Sequence, residues 1–196
     1  MKSYPLVLTS SSPTRKAQLA RFTQAFETWS PNIDESPLAG EDPVDMVKRL
    51  AIEKAKAGEA RFPAHILIAG DQVQTIEGEV FGKPHTHANA ITQLEKASGK
   101  TTAFHAGLCV LNTATQKCLS TVTTIYVTFK PLTREHIESY LTIDEPYQCA
   151  GSIKAEGIGL ALMEKVECPD PSALLGLPLI TLASMLELVG YQLLPR

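Results

Sequence analysis

Leu6-Val7-Leu8-Thr9-Ser10-Ser11-Ser12-Pro13-Thr14-Arg15-Lys16 is an apolar run that breaks into hydroxyls, a proline and then two cations. The apolar residues predict a buried strand, and the strand must give way to a helix at Ser12-Pro13. Serine is a strong N-cap, and proline suits the first helical position because its missing N–H would be unpaired there anyway. At such a junction unpaired backbone N–H groups, the positive end of the helix dipole, three hydroxyls and two cations converge, which suits a phosphate chain. The plainer alternative is an ordinary capped helix with solvated Arg15 and Lys16.

Outward from this stretch, segments of strand and helix character alternate. Phe26-Glu27-Thr28-Trp29-Ser30 reads as a short strand, followed by a polar loop with Asp34-Glu35, and Asp42-Pro43 opens a second helix. On that helix Val47, Leu50 and Ala51 trace one face, and Lys54 is the next position on it, so a cation points inward. His65-Ile66-Leu67-Ile68-Ala69 predicts a strand buried on both faces, with Asp71 just past its C-terminal tip. A helix over 86–98 ends at Gly99, and the alternating stretches 102–111 and 119–129 predict an antiparallel hairpin. Thr133 caps a helix to about residue 141. Residues 158–166 look strand-like, Asp170-Pro171 starts a short helical turn, and the last helix ends near Gly190. Hairpin-joined and crossover-joined strands interleaved with helices imply an α/β fold with a mixed sheet. No linker, repeat or low-complexity tract interrupts the chain, so residues 1–196 are expected to form one domain.

Composition excludes several function classes. The 196 residues are 44% hydrophobic and 20% charged, with a net charge of −3, which is a soluble globular balance offering no general field for nucleic acid. Cys109, Cys118, Cys149 and Cys168 lack CxxC or zinc-site spacing, which argues against a disulfide framework or structural zinc. Four scattered buried thiols suit a reducing compartment. With no apolar leader segment and no stretch of spanning length, neither export nor a membrane partner is indicated, and the cytoplasm is the expected location.

Chemistry is concentrated in a few short motifs. Gly70-Asp71-Gln72 places a carboxylate where open α/β sheets put their ligands, able to bind a metal or activate water. Its alternative is a turn aspartate capping backbone. Gly78-Glu79-Val80-Phe81-Gly82-Lys83 is one residue short of a Walker loop, and Pro84 replaces the metal-binding hydroxyl, which argues against a Walker ATPase and leaves Lys83 as either a phosphate contact of different geometry or a solvated loop lysine. Asp34-Glu35 offers oxygen ligands for a hard cation, and His85 and His87 lack a third zinc ligand. In Cys149-Ala150-Gly151-Ser152 and the residues after it, Lys154 and Glu156 are spaced as one face of a strand. No GxSxG or justified Ser/His/Asp set is present.

Taken together and in order, Ser10-Ser11-Ser12-Pro13-Thr14-Arg15-Lys16, Asp34-Glu35, Glu53-Lys54-Ala55, Gly70-Asp71-Gln72-Val73, Gly82-Lys83-Pro84, Ala150-Gly151-Ser152 and Gly176-Leu177-Pro178-Leu179 resemble the Maf family of nucleoside triphosphate pyrophosphatases along essentially the whole chain. The resemblance implies an elongated α/β domain, related to inosine triphosphatases, with a central mixed sheet flanked by helices and a cleft between two lobes, often dimeric. It implies hydrolysis between the α and β phosphates of a small-molecule nucleotide with a divalent cation, magnesium or manganese. Asp71 matches the catalytic carboxylate. Arg15, Lys54 and Lys83 match phosphate-binding residues, Ser10 the first-turn serine, and Glu35 an acidic loop position that with Asp71 would hold the metal. Gln72 and Glu156 are similar to the branch acting on 7-methyl-GTP, in a house-cleaning role against modified nucleotides. A carboxylate at 156 accepts from the N1–H and exocyclic amine of guanine and favours a cationic methylated ring. Thr14 stands where that branch has a tryptophan to stack on the base, which leaves Phe81 and Tyr147 as candidate replacements, and Lys16 stands where a second arginine is usual. The rival readings are the same chemistry on dTTP or UTP and, from another class, a nucleotide-binding regulator of cell division.

Overall fold

The computed structural model describes residues 4–194. Its elements run β1 (Leu6–Leu8), α1 (Pro13–Leu19), β2 (Phe26–Thr28), α2 (Pro43–Ala57), β3 (Ile66–Ile76), β4 (Glu79–Phe81), α3 (His87–Ala97), β5 (Thr101–Asn112), β6 (Lys117–Phe129), α4 (Arg134–Asp144), β7 (Met163–Glu167) and α5 (Leu179–Leu188). Single 3-10 turns cover Ala150–Ser152, Ile158–Leu162 and Pro171–Leu175. The sheet is mixed, in the order β2-β1-β3-β5-β6-β7 with β4 paired to β3. Strand β1 lies parallel to both β2 and β3, whereas β4 on β3 and β7 on β6 are antiparallel. The α/β class anticipated from the strand-to-helix junction is the one that forms.

Two compact units divide the chain, and β3, β5 and β6 contribute residues to both. The first contains the chain through Asp71, Ala106–Thr123 and the chain from Asp170. Its strands alternate with period two, and both faces are apolar. Leu6, Leu8, Ile66, Ile68, Leu108 and Val110 pack with Leu19 and with Leu182 and Leu186 of α5, while Val7, Leu67, Ala69, Cys109 and Leu111 pack with Ala51 and Ala55 of α2. Helix α2 comes down on β5 at Gly107, where an added Cβ would run into the backbone carbonyl of Val47. Helix α5 starts at Pro178 without a side-chain cap of its own residue. Instead buried Asp170 accepts from the N–H groups of Ile180 (2.9 Å) and Thr181 (3.2 Å), and Ser172 Oγ accepts from Leu179 N–H (2.6 Å).

The second unit holds Gln72–His105 and Thr124–Pro169. Here the structure corrects three expectations. Strand β3 does not end near Ala69 but runs to Ile76, because β4 pairs with its far end in the register Gln74↔Phe81 to Ile76↔Glu79, and its polar residues find cross-strand partners such as Gln74 Nε2 donating to Thr102 Oγ1 at 3.0 Å. Asp71 is therefore a mid-strand residue. Lys154 and Glu156 are not on a strand, since Gly151 and Ser152 take φ of 64° and 57°, outside extended backbone, and residues 155–157 form a turn. Residues 158–166 begin as a 3-10 turn and become strand only at Met163. At Gly151 an added Cβ would also collide with the Gln74 amide, so glycine is required there on two counts.

Gly107→Ala forces α2 off β5, and the expected cost is about 1–3 kcal/mol of stability from overpacking, read as a lower urea midpoint with an unchanged slope.

Candidate active site

Period-two alternation along β3 sends Leu67, Ala69 and Asp71 to the face that α2 covers. On α2, Ala51 and Ala55 pack there, and Lys54 reaches the same place from the third position of that turn. The inward lysine meets the strand carboxylate: Lys54 Nζ donates to Asp71 Oδ1 at 2.6 Å, and it pairs with Glu35 Oε1 at 2.9 Å. Both Lys54 and Asp71 are 7% exposed, whereas Glu35 is exposed. Charges so far from water persist only when paired, so each carboxylate and the ammonium hold one another.

Arg15, half-buried on α1, completes the cluster. Its Nε donates to the Gly176 carbonyl at 3.0 Å, and Nη1 lies 3.5 Å from Ser10 Oγ. Burial lowers its pKa, while Asp71 and then Glu35 act in the opposite sense, so the guanidinium sits within the field of both carboxylates. Ser10 Oγ also accepts from Ser12 N–H, and Ser12 Oγ caps Arg15 N–H as anticipated. With seven residues, α1 contributes little dipole, and the cations dominate the local field. Thr14 is half-buried in the first turn of α1, and Lys16 is exposed.

The acidic loop divides its labour. Asp34 Oδ1 accepts from Ser36 N–H and shapes the turn, while Glu35 turns to Lys54. What holds this loop on α2 went unread in the sequence: Glu41 accepts from Arg49 Nε at 2.6 Å and Nη2 at 2.7 Å, and Arg49 also donates to the Ser36 carbonyl and to Glu53. The arginine fork, followed by the Leu38 N–H, holds the Glu41 carboxyl at about 2 against an ordinary 4.5.

In the second unit Lys83 is exposed on the loop after β4. Its neighbour Gly82 is fixed by two donors on its carbonyl, Gly151 N–H at 3.1 Å and Gln93 Nε2 at 3.3 Å, and Gln93 Oε1 accepts from buried Ser152 Oγ at 2.5 Å. Gln93 thus positions the Lys83 turn, a role no motif signalled because its partners lie eleven and fifty-nine residues away. Glu156 is exposed on its turn, and Gln72 is half-buried on β3. Burial raises the Cys149 pKa; Glu156 raises it further, and Lys154 and Lys83 lower it, so these side chains share one region of the unit. Lys154 is tethered by its own N–H to Tyr140 Oη at 2.8 Å.

Of the two aromatic candidates, Phe81 is 7% exposed with the Lys96 ammonium 5.0 Å from its ring centre, so it has no free face and is ruled out. Tyr147 is half-exposed, its hydroxyl 3.0 Å from His87 Nδ1, and His87 Nε2 lies 2.7 Å from Glu138. The expectation of four buried thiols also fails: Cys109 is buried, Cys149 and Cys168 are half-buried, and Cys118 is exposed.

These features define a mixed α/β protein whose candidate site sets a buried lysine between two carboxylates, with an arginine beside them. A family model described as "Maf-like protein" matches residues 5–189, and the chain belongs to that family. It is 47% identical over 188 residues, 96% of this chain and 94% of the relative, to a protein of Hydrogenovibrio crunogenus named 7-methyl-GTP pyrophosphatase. Proteins of the same name from Nitrosococcus oceani (46% identical, 96% and 95% covered) and Vibrio vulnificus (45%, 99% and 100%) match equally fully.

Lys54→Met leaves Asp71 buried without its main partner, and the expected loss is about 3 kcal/mol of stability, at least half of it recovered in Lys54→Met/Asp71→Asn, measured as a denaturant double-mutant cycle. The Glu41 carboxyl is expected to titrate by NMR at about 2 and to return toward 4.5 in Arg49→Ala. A carboxyl depressed on folding contributes stability that is fully present above 4.5 and is lost as the pH falls through about 2.

Proposed function

We propose that this chain is a nucleoside triphosphate pyrophosphatase that hydrolyses 7-methyl-GTP to 7-methyl-GMP and pyrophosphate, clearing modified nucleotides. The choice of nucleotide rests on 45–47% identity, over nearly the full length, to relatives carrying that name. The reaction is supported by the Lys54–Asp71–Glu35 cluster, which supplies the acid and base groups that phosphoanhydride attack requires.

Attack on the α-phosphorus needs a group to take the proton from water, and Asp71 is that group, seated rigidly in a strand rather than on a loop. Lys54 and Arg15 offset the charge that develops on the phosphate oxygens, and their burial strengthens the effect. Ser10 adds a hydroxyl beside Arg15. When a triphosphate draws Lys54 away, Asp71 is released to act.

A divalent cation fits the donor set. Asp71 and Glu35 already converge on one positive centre, and magnesium or manganese is commonly held by one or two carboxylates with the remaining ligands from phosphate and water. Among the described residues no group of three or more His, Cys, Asp and Glu side chains gathers, so the protein's own share would be these two oxygens. When bound, the cation supplies Lewis-acid polarisation of the phosphate.

In the second unit Lys83 serves phosphate, and Glu156 and Gln72 serve the base, while Thr14 marks the position where this chain differs from a stacking tryptophan. Residues 1–196 work as one domain, a reading supported by the three strands that belong to both units. The enzyme acts in the cytoplasm as a homodimer on small nucleotides, without nucleic acid or membrane partners. The net charge of −3 offers no general field for nucleic acid, and no described helix is long and apolar enough to cross a membrane.

Pyrophosphate release from 7-methyl-GTP, GTP, dTTP, UTP, CTP and ITP with magnesium or manganese tests the reading. The expected result is at least about tenfold preference for 7-methyl-GTP, with turnover reduced about 100-fold or more in Asp71→Asn and with Glu156→Gln slowing the guanine nucleotides alone. Preference for dTTP or UTP would retain the reaction and remove Glu156 from base recognition. Silence across the panel with tight triphosphate binding would make the protein a regulator instead.

A further inference from the structure

The two cysteines nearest the β5–β6 turn stand side by side, with Cys109 Sγ 3.6 Å from Cys118 Sγ. They differ sharply in access. Cys109 is 0% exposed and packs in the apolar layer beneath α2, against Ala51, Ala55 and Ala69. Cys118 is exposed, near the start of β6, and β7 covers only the Tyr126–Phe129 part of that strand. Burial above all, and then the neighbouring Cys118, push the Cys109 thiol up in pKa, while Lys56 on α2 acts in the opposite sense. The outer thiol is therefore the one a reagent meets first, and the inner one waits as its partner. The pair takes no part in the chemistry described above.

We propose that Cys109 and Cys118 form a reversible oxidation site that takes hydroperoxides as its oxidant and closes to an intramolecular disulfide. The Cys118 thiolate attacks the terminal oxygen of the hydroperoxide; an S–O bond forms, the O–O bond breaks, and with hydrogen peroxide the leaving hydroxide takes a proton and departs as water. Cys109 then attacks the Cys118 sulfur; the S–S bond forms, the S–O bond breaks, and the departing hydroxide takes the Cys109 proton to give a second water. Two thiols lose two electrons in total, and the peroxide gains them. Closing the bond brings the sulfurs from 3.6 Å to about 2.05 Å. Side-chain rotation at the exposed Cys118 accommodates this. A thiol or thioredoxin-type reductant reverses the step by exchange at the exposed sulfur.

The test exposes the full chain to graded hydrogen peroxide, blocks remaining thiols with an alkylating reagent and measures intact and peptide masses. The expected protein loses about 2 Da, and two of its four thiols escape alkylation, in a crosslinked peptide pair containing Cys109 and Cys118 that dithiothreitol reopens. In Cys118→Ser, an exposed substitution whose folding is checked by circular dichroism, the same treatment is expected to leave the three remaining thiols alkylatable. A crosslink through Cys149 or Cys168 would overturn the assignment. So would accumulation of Cys118 as a sulfinic acid, about 32 Da heavier, with Cys109 still alkylatable after denaturation, or full alkylation of all four thiols at excess peroxide.

Discussion

One ammonium group organises this protein. Lys54 Nζ is held between Asp71 Oδ1 and Glu35 Oε1 in a place with almost no water, where a charge without a counter-charge would be untenable. Three separate segments are thereby obliged to meet: helix α2, the middle of β3 and the acidic loop before α2. The buried members, Lys54 and Asp71, depend on one another, while the exposed Glu35 adds a second carboxylate to the same ammonium.

The scaffold that brings these charges together is built mostly from apolar alternation and close backbone contact. Leu67 and Ala69 bury the α2 face of β3 and thereby aim Asp71 at that helix, and Gly107 lets α2 approach β5 closely enough for its lysine to arrive. Arg49 then ties the loop of Glu35 to α2 through Glu41 and the Ser36 carbonyl. In the second unit a hydrogen-bonded chain of Ser152, Gln93 and Gly82 does comparable work for Lys83. In both units the supporting residues are as informative as the ones they support.

Much of this was legible in the chain. Ser12-Pro13, Asp42-Pro43, Thr86 and Thr133 marked their helices because capping is a local interaction, decided within one turn. The inward stripe of α2 exposed Lys54 as an anomaly before any partner was known. Readings failed where a distant strand or a twist of backbone intervened. Strand β3 was cut short because its far half is polar and is held as strand by β4, and the alternation of Lys154 and Glu156 was interrupted by left-handed residues just upstream. Phe81 read as an available aromatic until Lys96 and its burial closed it off.

By itself, the sequence determined the helices, the mixed α/β class and the family, since these are encoded in short-range periodicity, caps and ordered motifs, whereas β4 and the far half of β3 depend on their pairing with each other. Only the tertiary structure decided that Lys54 is shared by Asp71 and Glu35, that Arg15 stands in their field, that Gln93 braces the Lys83 turn and that Cys109 and Cys118 are neighbours of opposite exposure. The physical reason is range. Caps and periodicity are settled within a few residues, whereas ion pairing, burial and thiol proximity join positions brought together only when helix, sheet and loop pack, and no local pattern records which of them will meet.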